Sequence, residues 1–246
     1  MNTFAKMTWV ELKLFVREPL ALVFAFAFPL VVLAVLIASF PNPEDAVAFG
    51  GLQPSDYYLA GYIGVVISAI GLVTLPVHVA SYRERGILRR FRASSMPVWS
   101  VVAAQVVVGI LMAAVGGAIL VAAGASIYDA GLPVAAGRVL GVFTLSSLAF
   151  VAVGLLLGSL TRTARGAQAL GMILFFPMWL LSGAGPPPDI LGEGMRNIMD
   201  ALPLTYVVRG IQDPWVGASS DPVDLLVLAG ILVVAGGFSL RRLRTV

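Results

Sequence analysis

Six apolar stretches, none carrying Asp, Glu, Lys or Arg away from its ends, restrict what this chain can fold into. They cover residues 20–40, 57–81, 97–128, 139–160, 167–183 and 223–240. A helix needs about 20 apolar residues to cross the hydrocarbon core of a bilayer. Strands of a membrane barrel would alternate in polarity over about ten residues, whereas these runs are long and continuous. The sequence therefore predicts an all-α integral membrane protein with six transmembrane helices, a single domain over residues 1–246.

Composition agrees. Charged residues make up 12% of the chain, about half the roughly 25% of a soluble domain, so the apolar surface requires lipid as its solvent. Cysteine is absent and His78 is the only histidine, which removes thiolate or histidine metal sites and a cysteine nucleophile. The basic residues cluster between apolar runs instead of forming a nucleic-acid surface, and no nucleic-acid partner is expected.

Loop charges set the expected orientation. With both termini in the cytoplasm, 13 of the 16 basic residues lie inside, leaving only Arg138, Arg196 and Arg209 outside. Of the 13 acids, only Glu11, Glu18 and Glu84 fall on the inner side. Such a positive-inside bias predicts a multi-pass protein of the cytoplasmic membrane. Tyr82 and Trp99 flank the first inner loop, and Tyr57, Tyr58 and Tyr128 mark outer ends of spans, as interfacial aromatics do. The first apolar run is too long for the core of a cleavable signal, and none is expected.

Residues 1–19 read as an interfacial amphipathic helix. Phe4, Met7, Val10 and Leu14 recur at helical spacing, Lys6, Lys13 and Arg17 share another face, and Pro19 ends the pattern. A plain helical extension of the first span fits the same residues.

The usual transport and hydrolytic chemistries are missing. No Gly-x-x-x-x-Gly-Lys-Ser/Thr loop is present, and the only lysines, Lys6 and Lys13, are not preceded by glycine. ATP and Mg would thus be held by another chain; no cofactor is expected here, and the chain is not an enzyme by itself. His78 is the one ionisable group inside a span, and a neutral hydrogen-bonding role suits it better than a proton relay. Ser182-Gly183 after the fifth run could suggest a serine hydrolase, but its base would have to be His78.

The inner loop reads Glu84-Arg85-Gly86-Ile87-Leu88-Arg89-Arg90-Phe91-Arg92-Ala93-Ser94-Ser95-Met96-Pro97. Ile87, Leu88 and Phe91 fall on one helical face and Arg85, Arg89 and Arg92 on another. Glu84, Gly86 and Leu88, with the turn over 93–97, resemble the first cytoplasmic loop of the ABC-2 type transporter permeases, the family of daunorubicin-resistance and polysaccharide-export subunits. Ile87 stands where that family usually has threonine. Leu181-Ser182-Gly183-Ala184-Gly185-Pro186-Pro187-Pro188 and Leu202-Pro203-Leu204-Thr205-Tyr206 are similar to its outer segment after the fifth span.

The resemblance implies a transmembrane permease subunit of an exporter, moving an amphipathic, lipid-like, drug or glycan substrate outward. It implies a partner ABC ATPase and a second permease protomer, identical or not. A coupling helix over 84–91, formed by Glu84, Arg85, Gly86, Ile87, Leu88 and Phe91, would meet the ATPase, with the turn 161–166 (Arg162, Arg165) as a second contact. Ser182, Gly183, Pro186, Leu202, Pro203, Thr205 and Tyr206 would form an outer re-entrant gate between helices 5 and 6. The apolar stripe Ile190, Leu191, Met195, Ile198, Met199 and Leu202 also suits a surface loop with an interfacial helix. An ion-coupled secondary transporter or channel is the alternative function. Gly137-x-x-x-Gly141 and Gly154-x-x-x-Gly158 predict close helix packing within the protomer, and Pro29, Pro76 and Pro177 predict kinks.

Overall fold

The computed structural model describes residues 3–40, 46, 49, 52–87, 98–188 and 191–245, with backbone only at 3, 98, 99 and 243–245. Among the described residues there is no strand. Helix α1 (Thr3–Val16) precedes α2 (Pro19–Ser39), α3 (Pro54–Glu84), α4 (Val98–Ile127), α5 (Ala136–Leu160) and α6 (Ala164–Leu181). Two shorter helices, α7 (Glu193–Asp200) and α8 (Pro203–Trp215), lead to α9 (Pro222–Thr245). Six of these, α2 to α6 and α9, are long and apolar enough to cross a membrane. Pro19, Pro54, Pro203 and Pro222 each open a helix, where the missing N–H costs nothing.

Helix α3 is the axis of the bundle. Its most apolar window is 89% buried, against 17% for α6 and 22% for α2 and α9, so these three leave most of their surface to other apolar material. Around α3 stand α2, α4, α5, α6 and the short α8. Helix α9 packs chiefly on α5, and α1 lies across α4.

Prolines within α2 and α3 decide how closely the neighbours approach. Each is preceded by a π-helical turn, Val23–Ala27 before Pro29 and Ile70–Thr74 before Pro76. Proline has no N–H, so the carbonyls four residues earlier, Ala25 and Leu72, lose their usual helical donor. A glycine of an adjacent span faces each carbonyl. A Cβ on Gly116 of α4 would lie 3.3 Å from the Ala25 oxygen, and one on Gly171 of α6 only 2.0 Å from the Leu72 oxygen. Beside the latter, a Cβ on Gly154 of α5 would lie 2.3 Å from the Gly71 oxygen. Only a hydrogen fits at Gly171 and Gly154, the geometry of Cα–H···O contacts between membrane helices, whereas at Gly116 the Val66 side chain, 2.7 Å from such a Cβ, is the closer neighbour. Pro177 sits inside α6 without a π turn among its neighbours.

Several expectations are corrected. Gly154 and Gly158 do pack within the protomer, Gly158 against Val79 and the Pro76 carbonyl, but a Cβ on Gly137 or Gly141 meets nothing within 4 Å. That first pair faces away from the protein. Tyr57 and Tyr58 do not face the headgroups; they are 7% and 1% exposed, Tyr57 bonded to Gly183 and Gln212 beyond the fifth span and Tyr58 packed on Phe40, Phe49 and Tyr62. On α1 the docked residues are Met7, Glu11 and Phe15, while Val10 and Leu14 are 46% and 40% exposed. The docked face is rotated towards Glu11, whose carboxylate finds a buried donor that the apolar pattern could not reveal.

The glycine contacts make a prediction. Gly171→Ala or Gly154→Ala should lower the unfolding temperature of the purified chain in mild detergent, by about 1–3 kcal/mol in stability terms. Gly141→Ala should leave it unchanged. Equal melting of all three would show that the freed carbonyls do not set the packing.

Candidate functional site

The C-terminal ends of α3 and α5, the N-terminal end of α6 and helix α1 converge on one cluster of polar contacts. The last turn of α3 carries Arg83 and Glu84 side by side. Arg83 Nη1 donates to the Ser159 carbonyl and, at 2.9 Å, to the Thr161 carbonyl, at the C-terminus of α5. Glu84 Oε2 accepts the Ala164 N–H at 2.9 Å, at the N-terminus of α6. A cation thus meets the negative end of one helix dipole and an anion meets the positive end of the next. Thr163 caps α6 as well, accepting from the Gly166 N–H at 3.1 Å. The turn between α5 and α6 is therefore clamped to the end of α3.

Two residues earlier on α3, the Tyr82 hydroxyl donates to Glu11 Oε1 at 2.8 Å, with both side chains buried. Met7, Tyr82, Val101 and Ala104 form a small apolar cluster around that bond, and Phe4 and Ile87 pack against it. Burial raises the Glu11 carboxyl from about 4.5 to about 7, with the Tyr82 hydrogen bond acting in the opposite direction.

The expected coupling residues do not share one environment. Glu84 and Arg85 are exposed, Gly86 takes a left-handed φ of +66°, and Ile87 is partly buried on the α1 cluster. Gly86 ends the helical run, so the continuous helix expected over 84–91 is broken there: Glu84 closes α3, and any following helix starts no earlier than Ile87. Leu88, Phe91 and the turn over 93–97 lie outside the described residues. Arg162 and Arg165 are exposed on the neighbouring turn. Arg83 was legible only as a topology charge; its place directly before Glu84 at a span end is the signal for capping two helices at once.

A second cluster lies at the other end of α3. Ser182 and Gly183 are buried; Gly183 has φ +85°, and its carbonyl accepts the Tyr57 hydroxyl at 2.8 Å. Helix α8 runs along the first third of α3. A Cβ on Gly64 would meet Val207, Val208 and Leu204, and Gln212 Nε2 donates to the Tyr57 carbonyl at 3.0 Å. Thr205 is fully buried, with its hydroxyl on the Met199 carbonyl at 2.6 Å, and the Tyr206 hydroxyl donates to the Asp200 carbonyl. Pro186, Leu202 and Pro203 are half-buried around this turn. Arg209 bridges Asp200 at 2.9 Å and the buried Asp224 at 3.4 Å, tying α8 to α7 and α9. Of the apolar stripe, Met199 is buried, Met195 and Ile198 are 42% and 50% exposed, and Ile190 lies outside the described residues.

His78 and Ser182 do not meet. Gly183 touches Tyr57 at one end of α3, and His78 lies 21 residues further along it, roughly 30 Å away. Among the described residues, no group of three or more His, Cys, Asp or Glu side chains could hold a metal ion.

Residues 2–214 match the family model of the ABC-2 type transporter. The chain belongs to this family. It is also 26% identical over 172 residues to the "Probable multidrug ABC transporter permease YbhR" of Escherichia coli strains K12 and O157:H7. The match covers 68% of this chain and 46% of those relatives, so the chain spans about half the length of the curated relatives it matches. Family membership, together with six helices long and apolar enough to cross a membrane, makes this a multi-pass membrane protein.

The Glu11 contact makes the docking of α1 depend on pH. Docked, the carboxyl holds its proton up to about pH 7; undocked, it would lose it near the ordinary 4.5. Docking is therefore strongest below about pH 4.5, weakens as pH rises to about 7 and stays flat above, a change on the order of 3 kcal/mol. Spin labels at Trp9→Cys and Arg162→Cys should give a narrow distance distribution at pH 5 and a broader one at pH 8, and Glu11→Gln should abolish that difference. A pH-independent distribution in the otherwise wild-type chain would refute the assignment.

Proposed function

We propose that this chain is the membrane-spanning subunit of an ATP-driven exporter in the cytoplasmic membrane, with both termini in the cytoplasm. A separate ABC ATPase binds ATP and Mg, and two permease protomers, identical or not, form the transport unit. Amphipathic drug-like or lipid-like molecules are the cargo that its uncharged spans suit best; a glycan belongs to the same family reading.

The clamp of Arg83 and Glu84 supports this reading most. A force applied to the loop after α3 acts directly on the ends of α5 and α6 through Arg83 and Glu84, and on α1 through Tyr82. An ATPase that grips Ile87, Leu88 and Phe91, with Arg85 at the rim, therefore moves several spans together. Closure of the ATPase dimer on ATP then shifts a two-state equilibrium between cavity orientations. At the far side, Ser182, Gly183 and Pro186 form the turn of a re-entrant outer gate, and Leu202, Pro203, Thr205 and Tyr206 begin its returning helix. Non-helical backbone at membrane depth is tolerated when buried in protein, and Tyr57 and Gln212 provide that burial. An ion-coupled carrier gains no support from mid-span acids: among the described residues, Asp224 sits in the first turn of α9.

The test is co-reconstitution with the ATPase that co-purifies in mild detergent. Glu84→Ala should leave ATPase binding and basal hydrolysis intact while transport falls about 5- to 150-fold, the range of typical coupling energies. Gly86→Ala should act in the same direction by straining a left-handed turn. Wild-type transport in both variants would remove the coupling assignment. Transport that survives ATP depletion while a proton gradient is held would favour the ion-coupled reading instead.

A further inference from the structure

A cavity of about 310 Å³ opens beside α3, at the end of the bundle that holds α8. Ile63 and Phe143 form its floor, Ala114, Gly117 and Ala118 of α4 one wall, and Leu140 of α5 the other. Every lining side chain is apolar, and the volume falls within the range of small-ligand pockets, about 300–1,000 Å³. The space exists because the α4 wall is small: a Cβ on Gly117 would reach Ile63 and Phe143 only at 3.8 Å.

The cavity is closed above and open sideways. Pro133 and Trp215 cover it. Trp215 Nε1 donates to the Gly131 carbonyl at 3.1 Å, so the indole faces the cavity with its polar atom already satisfied. Two backbone bonds, Val134 N–H to the Trp215 carbonyl at 2.9 Å and Ala135 N–H to the Pro214 carbonyl at 3.1 Å, fasten this cover. On the open side Ala114, Ala118 and Leu140 are exposed, and Gly137 and Gly141 have nothing near their missing side chains. Ile63 lies nine residues, roughly 14 Å, inside α3, so the opening faces hydrocarbon. Water has no polar partner there.

Charges surround the cover. Arg138, in the same first turn of α5 as Ala136 and Leu140, is exposed and steadied by a hydrogen bond to the Ala218 carbonyl at 2.9 Å. Asp129 and Asp56 belong to the α3–α4 side, and Asp56 Oδ1 accepts the Gly131 N–H at 2.6 Å. Arg138 offers a cation for a phosphate, and the acids on and against the loop that carries Pro133 offer a counter-charge for an ammonium, so the rim suits a zwitterionic headgroup better than a purely anionic one.

We propose that this cavity holds one acyl chain of a zwitterionic phospholipid, with the lipid phosphate at Arg138. The chain lies against both Ile63 of α3 and Trp215, the last residue of α8, so the lipid bears on the contact between these two helices. Its assignment to the outer leaflet rests on the orientation proposed above; occupancy itself does not.

The test uses the purified full chain in phosphatidylethanolamine vesicles carrying traces of phosphatidylethanolamine with a diazirine in its acyl chain. Irradiation should label the peptides around residues 114–121 and 136–143. Ala118→Phe or, as a second filling variant, Ala114→Leu should cut that labelling about tenfold, the effect of losing roughly 1.4 kcal/mol of affinity. Labelling near Val233, on the exposed face of α9, should not change. Arg138→Gln should weaken labelling by the phospholipid but not by a diazirine diacylglycerol, which lacks the phosphate. Undiminished labelling in both filling variants would overturn the proposal. So would an Ala118→Cys disulfide between two protomers, which would put a second copy on this face. The ATPase is absent throughout, so failure here leaves the exporter reading untouched, and failure of coupling leaves this site untouched.

Discussion

A carbonyl stripped of its helical partner is costly in hydrocarbon, and this bundle places two such carbonyls on purpose-fitted neighbours. Pro29 frees Ala25 and Pro76 frees Leu72; a glycine of α4 faces the first, and at the second a glycine of α6 comes so close that no side chain could stand between. With Gly154 against the Gly71 oxygen, α3 meets α5 and α6 backbone to backbone. The burial of α3 follows: a helix approached this closely from several sides has no face left for lipid. Its two ends then become the places where the rest of the chain is anchored.

At one end the anchoring is electrostatic. Arg83 and Glu84 share one turn, yet each serves the opposite pole of a different helix, so a single side-chain pair joins three spans. At the other end it is mostly backbone: the Gly183 and Tyr57 carbonyls accept side-chain donors, and α8 wedges its buried residues, Leu204, Val207, Val208 and Ile211, against α3. Arg209 adds one bridge to a buried acid, Asp224. Such a pair contributes more to fixing the geometry than to net stability, because desolvation offsets much of its attraction.

The six crossings were legible because their signal is length and apolarity, which single residues cannot disguise. The family was legible in Glu84, Gly86 and Leu88 and in the Leu202–Tyr206 run, short motifs read in order. Side-chain partners were not. Tyr57 has interfacial composition but lies beneath a segment more than a hundred residues away in sequence, and sequence spacing says nothing about that cover. The docked face of α1 escapes an apolar-periodicity argument because it includes an acid, Glu11, whose burial is satisfied by the distant Tyr82 hydroxyl. Gly137 and Gly141 carry the small-residue spacing of a helix contact without the contact, since the spacing permits close approach and cannot supply the neighbour. The break at Gly86 was hidden for a related reason, because the amphipathic pattern of the loop runs through it without interruption.

The backbone contacts around α3 also limit how this molecule can change shape. Side chains can repack when helices slide, but a carbonyl seated on a glycine cannot: one residue of axial slip, 1.5 Å, would bring a side-chain-bearing position onto the oxygen. Helices α3, α5 and α6 are thus geared in fixed register. Any large rearrangement must rotate them together as a single lever, with α2, α4 and the membrane as its bearing surface.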